Sequence, residues 1–197
     1  MFETEVRKEL QHLNAHPEPV STAEIPEVVS KNTSMIVWSI NAPDRPRVFM
    51  AAYSHHDMKS DFLVMVNGEA FYRVWLHSRL LNGPATHCVV RSKMFADRKF
   101  GYADTALASS SAEYPVPVVE CGIFNEGDHT GICHSDTVTR CMWLIANRTP
   151  AFPVKIRGRH ETEILNRKVG LGLAIKSLHE LFNEENIYFS SDLQQSI

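Results

Sequence analysis

The segment Pro117–Arg157 constrains the fold more than any other part of the chain. It reads as a strand (Pro117 to Phe124), a turn (Asn125 to Asp128), a short strand ending near Cys133, a helix (Asp136 to Asn147) and a further strand (Ala151 to Arg157). In the helix, Val138, Cys141, Met142 and Ile145 recur at three- and four-residue spacing and form one apolar stripe, with Asp136 as the expected N-cap and Pro150 as the stop. Strands on both sides of one helix exclude an all-helical bundle and an all-β sandwich. They require helices packed on a sheet.

The remaining residues are assigned around this frame. Val6, Leu10 and Leu13 predict an amphipathic helix over Glu3 to Asn14, followed by a proline-containing connector from His16 to Ser30. Ser34 to Asn41, Arg47 to Ser54, Phe62 to Val66, Ala70 to His77 and Thr86 to Ser92 read as strands, with Asn67-Gly68 as a hairpin turn. Phe95 to Tyr114 is read as an irregular loop. Glu161 to Phe182 reads as a helix broken near Gly170 and Gly172. The expectation is an N-terminal helix and connector over residues 1–30 and a single mixed α+β domain over 31–197, β-rich in its N-terminal half and with helices in its C-terminal half.

Composition excludes several function classes. Hydrophobic residues make up 44% and charged residues 22% of 197, as in globular chains and unlike disordered ones. Twenty Lys and Arg against 23 Asp and Glu give a net charge of −3, too balanced for a broad nucleic-acid-binding face. The apolar runs reach only four or five residues, far short of the about 20 that cross a membrane. The four cysteines form no Cys-x-x-Cys pair, and the polar N-terminus is unlike a signal peptide, so a reduced, cytoplasmic setting without membrane insertion is expected.

Chemistry concentrates in Thr130–Asn147. A helix N-terminus attracts anions through its free N–H groups and dipole. Thr137 and Thr139 add hydroxyls, and Arg140 adds a fork-shaped cation suited to phosphate. An ordinary capped helix with a structural arginine accounts for the same residues. His55-His56-Asp57, Asp128-His129 and Cys133-His134 are either metal ligands or surface histidines, and Cys133 is a weak candidate nucleophile. The basic stretches Arg91 to Lys99 and Lys155 to Arg159 either track a nucleic acid backbone or form a solvated surface. Glu161-Thr-Glu163 lacks the surrounding pattern of an ADP-ribosyltransferase.

Tyr114-Pro-Val-Pro-Val-Val-Glu120, Ser135-Asp-Thr-Val-Thr-Arg-Cys-Met-Trp-Leu-Ile-Ala-Asn147 and Ala151-Phe-Pro-Val154 together resemble the plasmid fertility inhibition factors over residues 114–154. That resemblance implies a ParB/sulfiredoxin-like fold with a Gly-x-x-Arg turn that binds nucleotide phosphates. It implies nucleotide hydrolysis and DNA cleavage, and a block on type IV secretion of a competing plasmid or T-DNA. Carried over by position, Asp136, Thr139 and Arg140 match the phosphate-binding motif, and Thr137 beside them is expected to add its hydroxyl. Glu120, Arg140 and His134 form the catalytic set, with Glu120 as ligand to a Mg²⁺ or Mn²⁺ ion and ATP as a substrate. The partner is a secretion component such as the coupling ATPase, or the transferred DNA. The alternative is a non-catalytic inhibitor that binds a secretion-system, host or phage protein. One departure stands out: Thr137 occupies the position where the family has Gly. Either its hydroxyl replaces the lost phosphate donor or nucleotide binding is gone.

Overall fold

A computed structural model describes residues 2–16, 23–84, 86–134 and 136–184. The first helix, α1 (Phe2–Ala15), lays Val6, Leu10 and Leu13 on the core at the predicted spacing. Strands β1 (Glu27–Lys31), β2 (Met35–Ile40) and β3 (Val48–Tyr53) pair antiparallel, β1 arising within the expected connector. With β5 (Val116–Pro117), parallel to β3, they make a four-stranded sheet.

The second sheet holds β4 (Asp61–Asn67), β6 (Val119–Glu126), β7 (His129–Cys133), β8 (Ala151–Arg157) and β9 (Lys176–Ser177) in the order β7-β6-β8-β4-β9. Its neighbours run antiparallel except β6 and β8, whose parallel pairing is carried by the crossover through β7 and α5 (Val138–Ala146). Every residue of β4 is buried, as expected of a strand flanked by others and covered by helices. The result is a mixed α+β domain around one hydrophobic cluster.

Four expectations are corrected. Ala70 to His77 is not the second arm of a hairpin but part of helix α2 (Gly68–His77). The Asn67 side chain accepts the Ala70 N–H at 2.8 Å as an N-cap, and Gly68, Phe71, Tyr72, Trp75 and Leu76 form a helical buried face. Thr86 to Ser92 makes no strand, because side chains of α2 engage its backbone. Trp75 Nε1 donates to the Thr86 carbonyl at 2.6 Å, and the Tyr72 hydroxyl accepts the Arg91 N–H at 2.7 Å. A single helical turn, α3 (Arg91–Met94), comes next.

The expected loop Phe95 to Tyr114 contains helix α4 (Phe100–Ala108), seated through Phe100, Ala103 and Leu107, with Asp104 accepting the Trp143 indole N–H at 2.7 Å. The C-terminal helical stretch breaks at Gly170, as anticipated, but the chain does not resume a helix directly beyond that glycine. After α6 (Arg159–Val169), Leu171 N donates to the Met65 carbonyl at 3.0 Å and β9 pairs with β4, before the short helix α7 (Leu178–Asn183) starts on a Ser177–Glu180 capping box. No helix among the described residues is long and apolar enough to cross a membrane.

Candidate functional site around Glu120

The site is assembled where β6 runs beside β8 and the chain turns into α5. Strand alternation buries Val119 and Cys121 and turns Glu120 outward. Parallel pairing sets Glu120 against Lys155 of β8, and antiparallel pairing sets Lys155 against Leu63 of β4, so Asp61 lies two residues along the same face. Lys155 Nζ is 3.0 Å from the Glu120 carboxylate and 3.4 Å from that of Asp61, and Asp61 is in turn 3.1 Å from His55 Nε2. Two carboxylates thus share one ammonium. Asp61 is buried, whereas the Glu120 side chain is 51% exposed and is the one that can meet a ligand.

The motif residues converge on the main chain of Glu120. The buried Thr137 hydroxyl donates to the Glu120 carbonyl at 2.5 Å and accepts the Glu120 N–H at 3.1 Å. His134 Nδ1 donates to the same carbonyl at 2.8 Å. Since a carbonyl only accepts, the proton sits on Nδ1 and leaves Nε2 a bare acceptor. That Nε2 is buried with no partner among the described residues, and the ring packs on Phe71 and Trp75. Burial pulls the imidazole down to about 4, so it is neutral.

Arg140 leaves α5 in the other direction. Its Nη1 donates to the carbonyls of Pro117 and Val118, the latter at 3.1 Å, which ties the helix to the β5–β6 junction. Burial lowers the guanidinium's proton affinity, and the charges of Glu120 and Asp136 oppose that effect. An arginine remains charged under such opposing effects.

Several expectations need revision. Asp136 is exposed and does not cap the helix; the cap position is Thr137, whose side chain makes no capping bond because it is committed to Glu120. At φ −102°, Thr137 needs no glycine, so a β-branched residue neither forbids the turn nor strains it. The Cys141 amide donates to the Thr137 carbonyl at 3.0 Å. The amides of Val138, Thr139 and Arg140 precede it, and Thr139 is half-buried beside them. Burial raises the Cys133 thiol, which opposes a nucleophilic role.

The Asp57 N–H donates to His55 Nδ1 at 3.2 Å and the His55 and His56 rings touch edge-on, but their outward partners differ. His55 joins Asp61, Asp57 pairs with Arg157, and His129 lies beside His77, away from His134. Both basic stretches make internal ion pairs: Arg91 with Glu69, Lys93 with Glu5, and Lys155 and Arg157 as above. Among the described residues no group of three or more His, Cys, Asp or Glu is placed to hold a metal ion. Of the two carboxylates that share Lys155, Glu120 is the one open enough to contribute to a largely hydrated Mg²⁺, and His134 is not available, its Nε2 sealed among aromatic rings. Sequence reading missed Asp61 and placed Lys155 in a basic stretch, either on a nucleic acid backbone or on a solvated surface, not beside Glu120. Between Asp61 and Asn67, β4 is one continuous apolar run, so no alternation marks Asp61 as facing Lys155, and only the strand register brings them together.

The PFIN family model, described as plasmid fertility inhibition factor, matches residues 63–170, more than half of the chain. This chain belongs to the plasmid fertility inhibition factor family. It is 33% identical over 153 residues to "Protein osa" of Shigella flexneri, covering 78% of each chain. The fold is similar to a crystal structure of Oncogenic Suppression Activity Protein, a plasmid fertility inhibition factor, in its gold(I) cyanide derivative. The TM-score is 0.75 at 31% identity, covering 91% of this chain and 92% of that one. The region matched to the fertility inhibition family runs from β4 to Gly170 and includes Glu120, His134, Thr137, Arg140 and Lys155, with Asp61 and His55 just outside it.

Proposed function

We propose that this fertility inhibition factor acts in the cytoplasm to block type IV secretion of a competing plasmid or T-DNA. In this reading the surface around Glu120, Lys155 and Arg140 engages phosphates of a nucleotide such as ATP, or of the transferred DNA. The supporting observation is a half-exposed carboxylate on β6, paired with one cation and within the electrostatic reach of a second on α5. Lys155 Nζ lies 3.0 Å from Glu120, and Arg140 sits close enough for the Glu120 charge to act on it. Arg140 is tethered to main-chain carbonyls through Nη1, and its Nε and Nη2 carry three further N–H donors.

In phosphoryl transfer, Arg140 and Lys155 would neutralise phosphate oxygens, and Glu120 would hold the ion or orient water. A divalent ion at Glu120 would polarise a phosphoryl oxygen and acidify a bound water. The ParB/sulfiredoxin-like relationship belongs to the same proposal.

A second reading, a non-catalytic inhibitor of a secretion component such as the coupling ATPase, is favoured by the inward bonding of Thr137 and His134. The Thr137 hydroxyl and His134 Nδ1 are both spent on the Glu120 peptide, as braces are. Glu120→Gln separates the two readings. Measured as ATP hydrolysis and DNA cleavage with Mg²⁺ or Mn²⁺, and as transfer inhibition in matings, the catalytic reading expects both to fall by about a hundredfold. Full inhibition without hydrolysis by parent or variant would leave only the binding role.

A further inference from the structure

A separate cavity of about 260 Å³ opens between α1, α2, the start of β7 and the end of α6. None of its lining residues belongs to the Glu120 site. Its charge is one-sided. Arg73 and His77, four residues apart on α2, share a face, with His129 from β7 and Lys168 from α6 beside them. The one carboxylate in the lining is Asp128, on the exposed turn before β7.

Two further observations bear on the lining. Arg73 Nη2 donates to the Leu13 carbonyl at 3.1 Å, which fixes the guanidinium at the wall of the cavity. The rings of His77 and His129 lie 5.3 Å apart. Burial lowers His77, and the charges of His129 and Arg7 lower it further.

We propose that this cavity binds a phosphate monoester, its phosphoryl group held by Arg73 and Lys168 and contacted by the imidazoles of His77 and His129. A phosphoryl group brings three terminal oxygens and a charge of about −1.5 to −2, which suits donors arriving from three elements. A carboxylate has only two oxygens and one charge. Leu10 and Val74 supply an apolar wall for a small attached body, in a volume just under the about 300 Å³ at which ligand pockets begin.

The test tracks the imidazole NMR signals of His77 and His129 in the full chain during titration with inorganic phosphate, AMP or acetate. Saturable shifts are expected with phosphate and AMP and none with acetate. Arg73→Gln should weaken AMP binding about tenfold or more, and Lys168→Gln several-fold. Arg73 also holds α1, so the exposed Lys168 provides the variant least able to disturb folding. Glu120→Gln should leave these shifts as in the parent, which separates this site from the proposed catalytic surface. Shifts that are absent, equal with acetate, unchanged by Lys168→Gln or abolished by Glu120→Gln would each overturn the assignment.

Discussion

His134 is held neutral by its surroundings, and this makes the fold pH-sensitive. Its ordinary value of 6.5 drops to about 4 because burial penalises the imidazolium. Between those values the unfolded chain takes up a proton that the folded one refuses. The contribution is therefore fully present above 6.5 and is lost as pH falls toward 4, a change of about 3 kcal/mol. Urea unfolding of the parent and of His134→Gln across that range checks it. The variant should lose less stability on acidification, and parallel curves would mean that His134 is not the group responsible. Thr137 is the other informative residue at this scale. Its type showed that glycine was absent, but not that its hydroxyl turns back onto the main chain of Glu120.

At the scale of elements, β4 and α2 meet at Asn67-Gly68. Asn-Gly is also the strongest short hairpin signal, and here it starts a helix because the residues after it bury a helical face and Asn67 caps it. Gly68 donates to the Pro150 carbonyl at 2.9 Å, and a Cβ there would lie 2.0 Å from the Thr149 carbonyl oxygen. Asn67→Ala should cost about 1 kcal/mol, the worth of a lost N-cap. Gly68→Ala should cost clearly more, since backbone must move. Chemical denaturation of both variants ranks them, and an equal or smaller loss for Gly68→Ala would contradict the close approach. The strand–hairpin–helix–strand run from Pro117 to Arg157 was legible because its periods are clean and its breaks are marked by Gly127 and Pro150. The helix Phe100–Ala108 was not, because Gly101 and the serines after it mimic a loop while only three of its residues are buried.

Across the whole molecule, α1 is part of the core and not an appendage. Val6, Leu10 and Leu13 are buried, Tyr72 donates to Glu9 at 3.0 Å, and Arg73 holds the Leu13 carbonyl. Three such side chains contribute about 1.5–3 kcal/mol each, against about 5–15 kcal/mol for a typical domain. Removing residues 1–16 should therefore abolish most of the cooperative thermal transition. A truncated chain that melts like the parent would show α1 to be accessory.

Sequence alone determined the class of the fold, the elements between Pro117 and Arg157, and the family likeness, because hydrophobic period, caps and breakers are local properties. The grouping of Asp61, Lys155 and Glu120 on one face, the turning of Thr137 and His134 onto one peptide, and the cavity between α1, α2 and α6 were decided by tertiary structure. Each depends on strand register and on helices packing over a sheet, which join residues far apart along the chain and leave no trace in any short stretch of it.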